Sequence, residues 1–371
     1  MRTLIENGIL VTPTQRLEGG WLLVDGPRIE SLGTGPAPAA DRRIDARGHT
    51  IAPGFIDLHA QGFRGYDLWD PSDERFLKAT RQMAATGTTA CQASVDPTAY
   101  VCRTMRPRIG RSDGGARILG LYFESPFISP KRPGAIPVDR VRPPSPALAK
   151  EILDLARDIV SMITLAPEQP GAMAILPQLL AAQGPRRPVV LAIGHTSADY
   201  AQAMAAIDAG AIHCTHLFNC MAPFLHRDPG PVGALLTRPE ATVELVTDGI
   251  HLHPAAVRVA VACKGVARTC VVTDCVSGNA HPVVGGVPRR ADGTIAGSIL
   301  SMDRAVANVR QFAGVSLAEA VEMATLAPAR VIGWDREKGT LAPGKDADLV
   351  IFDEQVNVKL TMIGGDVVYE A

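Results

Sequence analysis

The sequence predicts an α/β protein: a (β/α)8 TIM-like barrel accompanied by a small β-sandwich domain built from both chain termini. Three observations predict it. Eight short apolar runs recur through the middle of the 371-residue chain, most of them separated by segments able to form helices. Both ends read instead as short alternating strands broken by Gly and Pro turns. Ionisable side chains stand at the ends of six of the eight runs.

The runs span residues 55–59, 88–95, 118–124, 161–166, 189–194, 211–216, 242–248 and 269–274. Runs of β-branched and aliphatic residues alternating with helical segments argue parallel βαβ units, and eight of them argue a closed barrel. An open doubly wound sheet is the alternative, but no Gly-rich phosphate loop follows the first run. At the N-terminus, Thr3–Leu10, Gly20–Val24, Ile29–Gly33 and Arg43–Ala46 read as strands. Asp348–Phe352 and Lys359–Val368, the latter carrying Gly364-Gly365, read the same way. The expected division is therefore a small β domain from residues 1–50 plus 342–371, flanking a barrel over 51–341. The Pro-rich segment 142–146 reads as a surface loop.

Composition narrows the function classes. Hydrophobic residues make up 46% of the chain, enough for a sizeable core, and the formal net charge of −1 argues against nucleic acid or an anionic membrane surface as partner. No stretch reaches the roughly 18 apolar residues of a membrane span. The start, Met1-Arg2-Thr3-Leu4-Ile5-Glu6-Asn7, lacks the apolar run of a signal peptide. Seven cysteines, an odd number without a CxxC pair, fit a reduced, cytoplasmic protein.

The chemistry lies at the run ends. In a parallel barrel all C-terminal strand ends share one face, where active sites are built. Glu124, His195, His216 and Asp274, distant in sequence, are therefore expected to converge. One carboxylate and two imidazoles suffice for zinc or a similar divalent ion, with a position left open to water. Asp274 remains to shuttle a proton. Any single histidine after an apolar run is more often packed or capping than a ligand, and a lone acid there is often a helix cap; the repetition at six run ends carries the argument. His213 lies three residues before His216, points elsewhere, and reads as structural. A serine hydrolase would need a GxSxG elbow, which is missing. Cys214 and Cys220 read as small thiols.

These residues resemble the amidohydrolase superfamily, and specifically the N-acetylglucosamine-6-phosphate deacetylases. The resemblance covers nearly the whole chain: Pro53-Gly54-Phe55-Ile56-Asp57-Leu58-His59, Phe123-Glu124-Ser125-Pro126-Phe127, Thr164-Leu165-Ala166-Pro167-Glu168, Thr215-His216-Leu217-Phe218-Asn219, Asp248-Gly249-Ile250-His251 and Asp292-Gly293-Thr294-Ile295-Ala296-Gly297-Ser298. It implies that Glu124, His195 and His216 hold one divalent metal ion, zinc or alternatively iron, cobalt or manganese. It implies Asp274 as general base and then acid. Asn219 and the backbone of Cys220 would hold the sugar and phosphate end, and Arg227 and His251 phosphate or hydroxyls, with Arg227 reaching toward a partner subunit in a homodimer. Ala135 and Ile295, Ala296 and Gly297 would line the sugar pocket. The substrate implied is an amino-sugar phosphate, N-acetylglucosamine 6-phosphate, cleaved to glucosamine 6-phosphate and acetate.

The sequence departs from that pattern in four places. The first run ends His59-Ala60-Gln61 rather than HxH, so this pair would form at most a weak second metal site. Ser125 replaces the usual Gly. Ile136 stands where the family has a histidine that contacts a sugar hydroxyl, and Cys275-Val276 follow Asp274 in place of Ala-Met. Two further readings stay open: an amidohydrolase for another N-acyl amine or cyclic amide, and a catalytically inactive sugar-phosphate-binding protein. The bridging lysine of dihydroorotase-like relatives is missing from Thr164-Leu165-Ala166-Pro167, which counts against their branch. Joint retention of Glu124, His195, His216 and Asp274 counts against an inactive protein.

Overall fold

The computed structural model describes residues 1–12 and 16–371. Each apolar run becomes a strand of one parallel sheet: β1 (Phe55–Ala60), β2 (Thr88–Val95), β3 (Arg117–Phe123), β4 (Val160–Leu165), β5 (Val190–Ile193), β6 (His213–Cys214), β7 (Thr242–Val246) and β8 (Thr269–Val272). The sheet runs in chain order from β1 to β8. It closes where Ala60 pairs with Cys275 in parallel and the Asp274 amide donates to the His59 carbonyl at 2.8 Å. The strands read as continuous runs because helices cover one face and the barrel interior fills the other; all eight residues of β2 are buried.

Caps set where the connecting helices begin. The side chains of Ser72, Thr98, Ser145 and Asp199 accept from the amides of Arg75, Val101, Leu148 and Gln202. Each satisfies a first-turn N–H that the helix itself cannot. Ser145 and Pro146 also correct the expected surface loop at 142–146: Ser145 is the cap and Pro146 the first residue of helix Pro146–Leu155. Proline suits that position because its missing N–H has no helical acceptor there.

Both chain ends enter a second sheet. Its order is Asp366–Glu370, Val358–Ile363, Leu349–Phe352, Thr50–Pro53, Arg2–Val11, Arg16–Asp25 and Arg28–Thr34, with Arg42–Asp45 alongside Arg2–Val11. Leu349–Phe352 pairs antiparallel with Thr50–Pro53, so the C-terminal hairpin joins the N-terminal strands directly. Ile5, Leu10, Leu22, Ile51, Leu349, Ile351 and Met362 form its separate apolar core.

A buried ion cluster marks the return from barrel to small sheet. Lys338 is 3% exposed and its ammonium contacts both Asp346, at 2.7 Å, and Asp348. Arg28 of the small sheet and Arg117 of β3 also face Asp346, at 2.7 and 3.5 Å. Removing Lys338 leaves buried Asp348 without a cation, while Asp346 keeps Arg28 and Arg117. Lys338→Met is therefore expected to cost about 3–5 kcal/mol in urea unfolding. Lys78→Met, which loses an exposed pair with Glu74 and a contact with the Tyr66 ring, is expected to lower the unfolding midpoint far less. Equal losses in the two variants would contradict this.

Candidate metal centre and active site

The barrel brings the four run-end residues together. Oε1 of Glu124, after β3, lies 2.9 Å from His195 Nε2, after β5, and 2.9 Å from His216 Nε2, after β6. The two nitrogens are 3.1 Å apart. His195 Nδ1 lies 2.8 Å from the carbonyl of Arg132, which can only accept, so Nδ1 carries the ring proton and a neutral ring turns a bare Nε2 toward the carboxylate. Nδ1 of His216 is buried without a partner. Lone pairs facing one another at these distances call for a cation between them. Ligand atoms on a tetrahedral ion with 2.0–2.1 Å bonds sit about 3.3 Å apart, close to the spacing here. The donor set therefore fits a divalent metal.

The local backbone is arranged to aim these groups. His195, His216 and Asp274 all have left-handed backbones, at φ 46°, 25° and 49°. Non-glycine residues rarely adopt that region, at a cost of about 1–3 kcal/mol each, and they persist there only when the surroundings enforce it. Gly194 enables the approach of β5 to β6: a Cβ there would lie 2.6 Å from that of Thr215. Gly134 lets the loop after β3 close over the site, because a Cβ there would lie 2.6 Å from Cys220 Sγ. Glu168 anchors the turn after His195, accepting from the Thr196 hydroxyl and the Ser197 amide at 2.6 Å each.

Asp274 is 7% exposed and sits beside the cluster. Its Oδ1 accepts from Gln61 Nε2 at 3.2 Å and lies 3.6 Å from His59 Nε2, leaving Oδ2 without a protein donor among the described residues. The first-strand pair is thus divided. Gln61 presents an N–H to Asp274, while His59 turns a buried, unpartnered Nε2 toward Glu124, 3.7 Å away. Burial opposes ionisation of Glu124, but the surrounding His59, His195 and His216 hold its carboxyl well below the usual range.

The remaining sequence-selected residues lie around this centre with one exception. Asn219 donates its amide to the carbonyls of His216 and Leu217 at 3.2 and 3.3 Å. The Cys220 carbonyl accepts from the Thr196 amide at 3.0 Å. His251 lies 2.7 Å from Asp248 Oδ2, whose other oxygen accepts the Ile250 and His251 amides, so the turn after β7 orients the ring. Burial would lower the His251 pKa, but Asp248 and Asp274 raise it above the ordinary value, which suits contact with an anion. Ile295, Ala296 and Gly297 lead into Ser298, which pairs with Cys275 and donates its amide to the Asp274 carbonyl. Arg290 reaches from the same segment to the Ala135 carbonyl at 3.0 Å, beside half-buried Ile136. Arg227 is the exception: it is exposed on the loop after β6 and makes no ion pair among the described residues.

Several residues that contact the site carry no assignment from the sequence. Glu244 in β7 is fully buried and touches His59, His213 and His216. Burial pushes its pKa up, but the hydrogen bonds from His213 and His59 hold it down to about 2. Asp57 in β1 accepts from the amides of His59 and Thr273 at 3.1 and 3.2 Å, tying β1 to β8. Burial pushes its carboxyl up to about 6 against those bonds. The available signal was an acidic residue inside an otherwise apolar run, which a core tolerates only when paired. His213, read as structural, lies between Glu244 and Thr242.

Residues 50–368 match the Amidohydrolase family. The chain is 31% identical to the N-acetylglucosamine-6-phosphate deacetylase of Bacillus subtilis (strain 168), across 99% of this chain and 97% of that one. It is 33% identical to the N-acetylgalactosamine-6-phosphate deacetylase of Escherichia coli O157:H7, across 89% and 90%. Among solved structures, the N-acetyl-D-glucosamine-6-phosphate deacetylase of Mycobacterium smegmatis superposes at a TM-score of 0.88 with 34% identity, covering all of both chains. The Pasteurella multocida N-acetylglucosamine-6-phosphate deacetylase gives 0.90 with 28% identity, again over both whole chains.

The donor set generates a stoichiometry. Three ligands converge, while Gln61 donates to Asp274, so protein purified without added metal is expected to hold about one tightly bound divalent ion per chain. Elemental analysis giving two tightly held ions would contradict it.

Proposed function

The chain belongs to the amidohydrolase family, in the branch of the N-acetylglucosamine-6-phosphate deacetylases, and on that premise we propose that it hydrolyses the acetamide of an N-acetylated amino-sugar 6-phosphate to acetate and the free amine. The observation that carries the reading is the convergence of Glu124, His195 and His216 beside Asp274, whose Oδ2 is free to take a proton. N-acetylglucosamine 6-phosphate is the substrate of first choice.

A divalent ion held by Glu124, His195 and His216, zinc or alternatively iron, cobalt or manganese, supplies Lewis acidity that polarises a carbonyl and lowers the pKa of water. Asp274 takes the proton of the attacking water as the new C–O bond forms. It then gives that proton to the nitrogen as the C–N bond breaks, so a single carboxylate serves as base and acid. The Gln61 N–H fixes one oxygen of Asp274 and leaves the other for this transfer. His251 and Asn219 face the phosphate end, and the backbone at Ile295, Ala296 and Gly297 lines the sugar. Exposed Arg227 suits a role across a subunit boundary in a homodimer, acting on the partner's substrate. Cysteines that are all unpaired suit a reducing, cytoplasmic setting.

Ile136 favours a second sugar at the same site. It removes the side chain that would read one hydroxyl, and one relative of comparable identity is an N-acetylgalactosamine-6-phosphate deacetylase. Relaxed choice between hydroxyl epimers follows from an apolar side chain at that position.

Three measurements test the reading. Asp274→Asn keeps size but cannot take the proton, so the folded, metal-loaded variant is expected to lose at least about 10²-fold in kcat; near-normal turnover would remove Asp274 from its role. Charge-assisted recognition of phosphate, worth about 1.5–3 kcal/mol, predicts a preference of about 10- to 150-fold in kcat/KM for the 6-phosphate over the plain sugar. Ile136→His is expected to sharpen the choice of N-acetylglucosamine 6-phosphate over its galacto epimer. Wild-type enzyme that ignores 6-phosphate sugars and cleaves another amide would replace this reading with the N-acyl amine or cyclic amide hydrolase.

A further inference from the structure

We propose that Glu244 is a positioning residue of the metal centre, fixing how both His59 and the ligand His216 face Glu124 and Asp274. The inference rests on the metal-dependent hydrolase reading above. Glu244 is fully buried on β7, inside the barrel. Its two oxygens face three groups. Oε2 lies 3.0 Å from His59 Nδ1 and accepts the His216 backbone amide at 3.2 Å; Oε1 lies 3.0 Å from His213 Nε2. Its own carbonyl accepts the amide of Leu217 at 2.9 Å. Side chain and main chain of this one residue thus clamp the turn that carries His216.

Each contact has a consequence at the centre. An ionised carboxylate can only accept, so His59 carries a proton on Nδ1 and a neutral ring leaves Nε2 bare. That nitrogen is the one turned toward the site, unpartnered, 3.7 Å from Glu124 Oε1 and 3.6 Å from Asp274 Oδ1. The opposite tautomer would set a nitrogen lone pair against a carboxylate. At His216, the hydrogen bond to the backbone amide holds a residue whose φ of 25° few side chains adopt, and with it the direction of the ring. His213 fixes the far oxygen and is itself 2.6 Å from Thr242 Oγ1, so the carboxylate cannot swing away. Stability alone gives little reason for this arrangement, because an apolar core of similar volume is commonly as stable as buried charges. Outer partners of this kind typically alter metal affinity or activity by about 10- to 100-fold when removed.

The test compares Glu244→Asp and Glu244→Gln with the wild type. Zinc affinity is measured by competition with a chromogenic chelator, together with kcat and KM on N-acetylglucosamine 6-phosphate and the melting temperature of the metal-free protein. The shorter Asp cannot reach all three partners. It is expected to weaken zinc binding about 10- to 100-fold and to lower kcat at least about 10-fold, with KM changed less than about threefold. Gln can accept from His59 and His216 with its oxygen and donate to His213, provided the His213 proton moves to Nδ1 beside Thr242. It is therefore expected to recover most of the lost zinc affinity. An Asp variant with a lowered melting temperature but wild-type zinc affinity and kcat would overturn the proposal and leave Glu244 a structural residue. A Gln variant as impaired as Asp would also overturn it, because charge rather than placement would then be what matters.

Should the Asp variant fail to fold, nitrogen-15 histidine spectra of the zinc-loaded wild type decide. The His59 signals are identified by their loss in His59→Asn. A proton on Nδ1 with bare Nε2 supports the proposal, and a proton on Nε2 overturns it. Zinc affinity and tautomer require no substrate, so the proposal can fail while the deacetylase reading stands, and the reverse.

Discussion

Two imidazole nitrogens and a carboxylate oxygen, each turning a lone pair toward the others, cannot share a buried pocket without positive charge between them. Most of the molecule's unusual features answer to that constraint. Glu124, His195 and His216 come from the ends of three different strands, so only a closed parallel barrel holds their atoms 2.9–3.1 Å apart. His195, His216 and Asp274 keep left-handed backbones because the strands and the turns that follow leave them no other path. The interior below the site is polar for the same reason. Asp57 ties β1 to β8, Tyr122 meets Thr215 at 2.7 Å, and Glu244 spans β1, β6 and β7 through its histidines. Asp57, Tyr122 and Glu244 have partners there, whereas both side-chain polar atoms of Gln92 in β2, Nε2 of His59 and Nδ1 of His216 are buried without one.

Above this interior, the loop after β3 carries Ala135 and Ile136, and it is tied down from several sides. The Ser129 amide donates to the His195 carbonyl, and the Arg132 carbonyl meets the His195 ring. Ser125, which departs from the family's Gly, donates to Asp96 at 3.0 Å, and Asp96 in turn pairs with Arg140 further along the loop. Arg290 holds the Ala135 carbonyl. The substitution at 125 thus has a mechanical explanation: the added hydroxyl joins an ion pair that fastens the segment containing Ile136. The strand ends hold the converging Glu124, His195, His216 and Asp274, and a fastened loop carries Ile136.

How much of this was legible in the sequence depended on where a residue sits along its strand. Each barrel strand announced itself as an apolar run, because burial on both faces leaves no alternation to obscure it. Glu124, His195, His216 and Asp274 were legible because a charged group that ends such a run falls on the catalytic face. Glu244 was not, since mid-strand it looks like a flaw in an apolar segment until its partners, 28 and 185 residues away in sequence, are brought to it. Gln61 was legible as a poor metal ligand, but its donation to Asp274 is a matter of three-dimensional orientation. Most strands of the small sheet were readable individually, but Thr50–Pro53 was not read as one, and Lys359–Val368 resolves into two, Val358–Ile363 and Asp366–Glu370. Their order was not readable, because nothing local to Leu349–Phe352 specifies Thr50–Pro53 as its neighbour.

That last pairing bears on how the chain is made. Thr50–Pro53 leaves the ribosome early and meets its antiparallel neighbour only after Leu349–Phe352 has followed. At roughly 5–20 residues per second the wait is on the order of 15–60 s. Throughout it, one edge of the small sheet has no strand to cover it, an open template for other chains. Messages truncated or stalled between codons 276 and 349 would release polypeptides whose barrel strands are all present and whose edge is permanently bare. Such products are natural clients for chaperones and proteases, and a codon change that slows the last stretch of translation lengthens the exposure without altering a single residue.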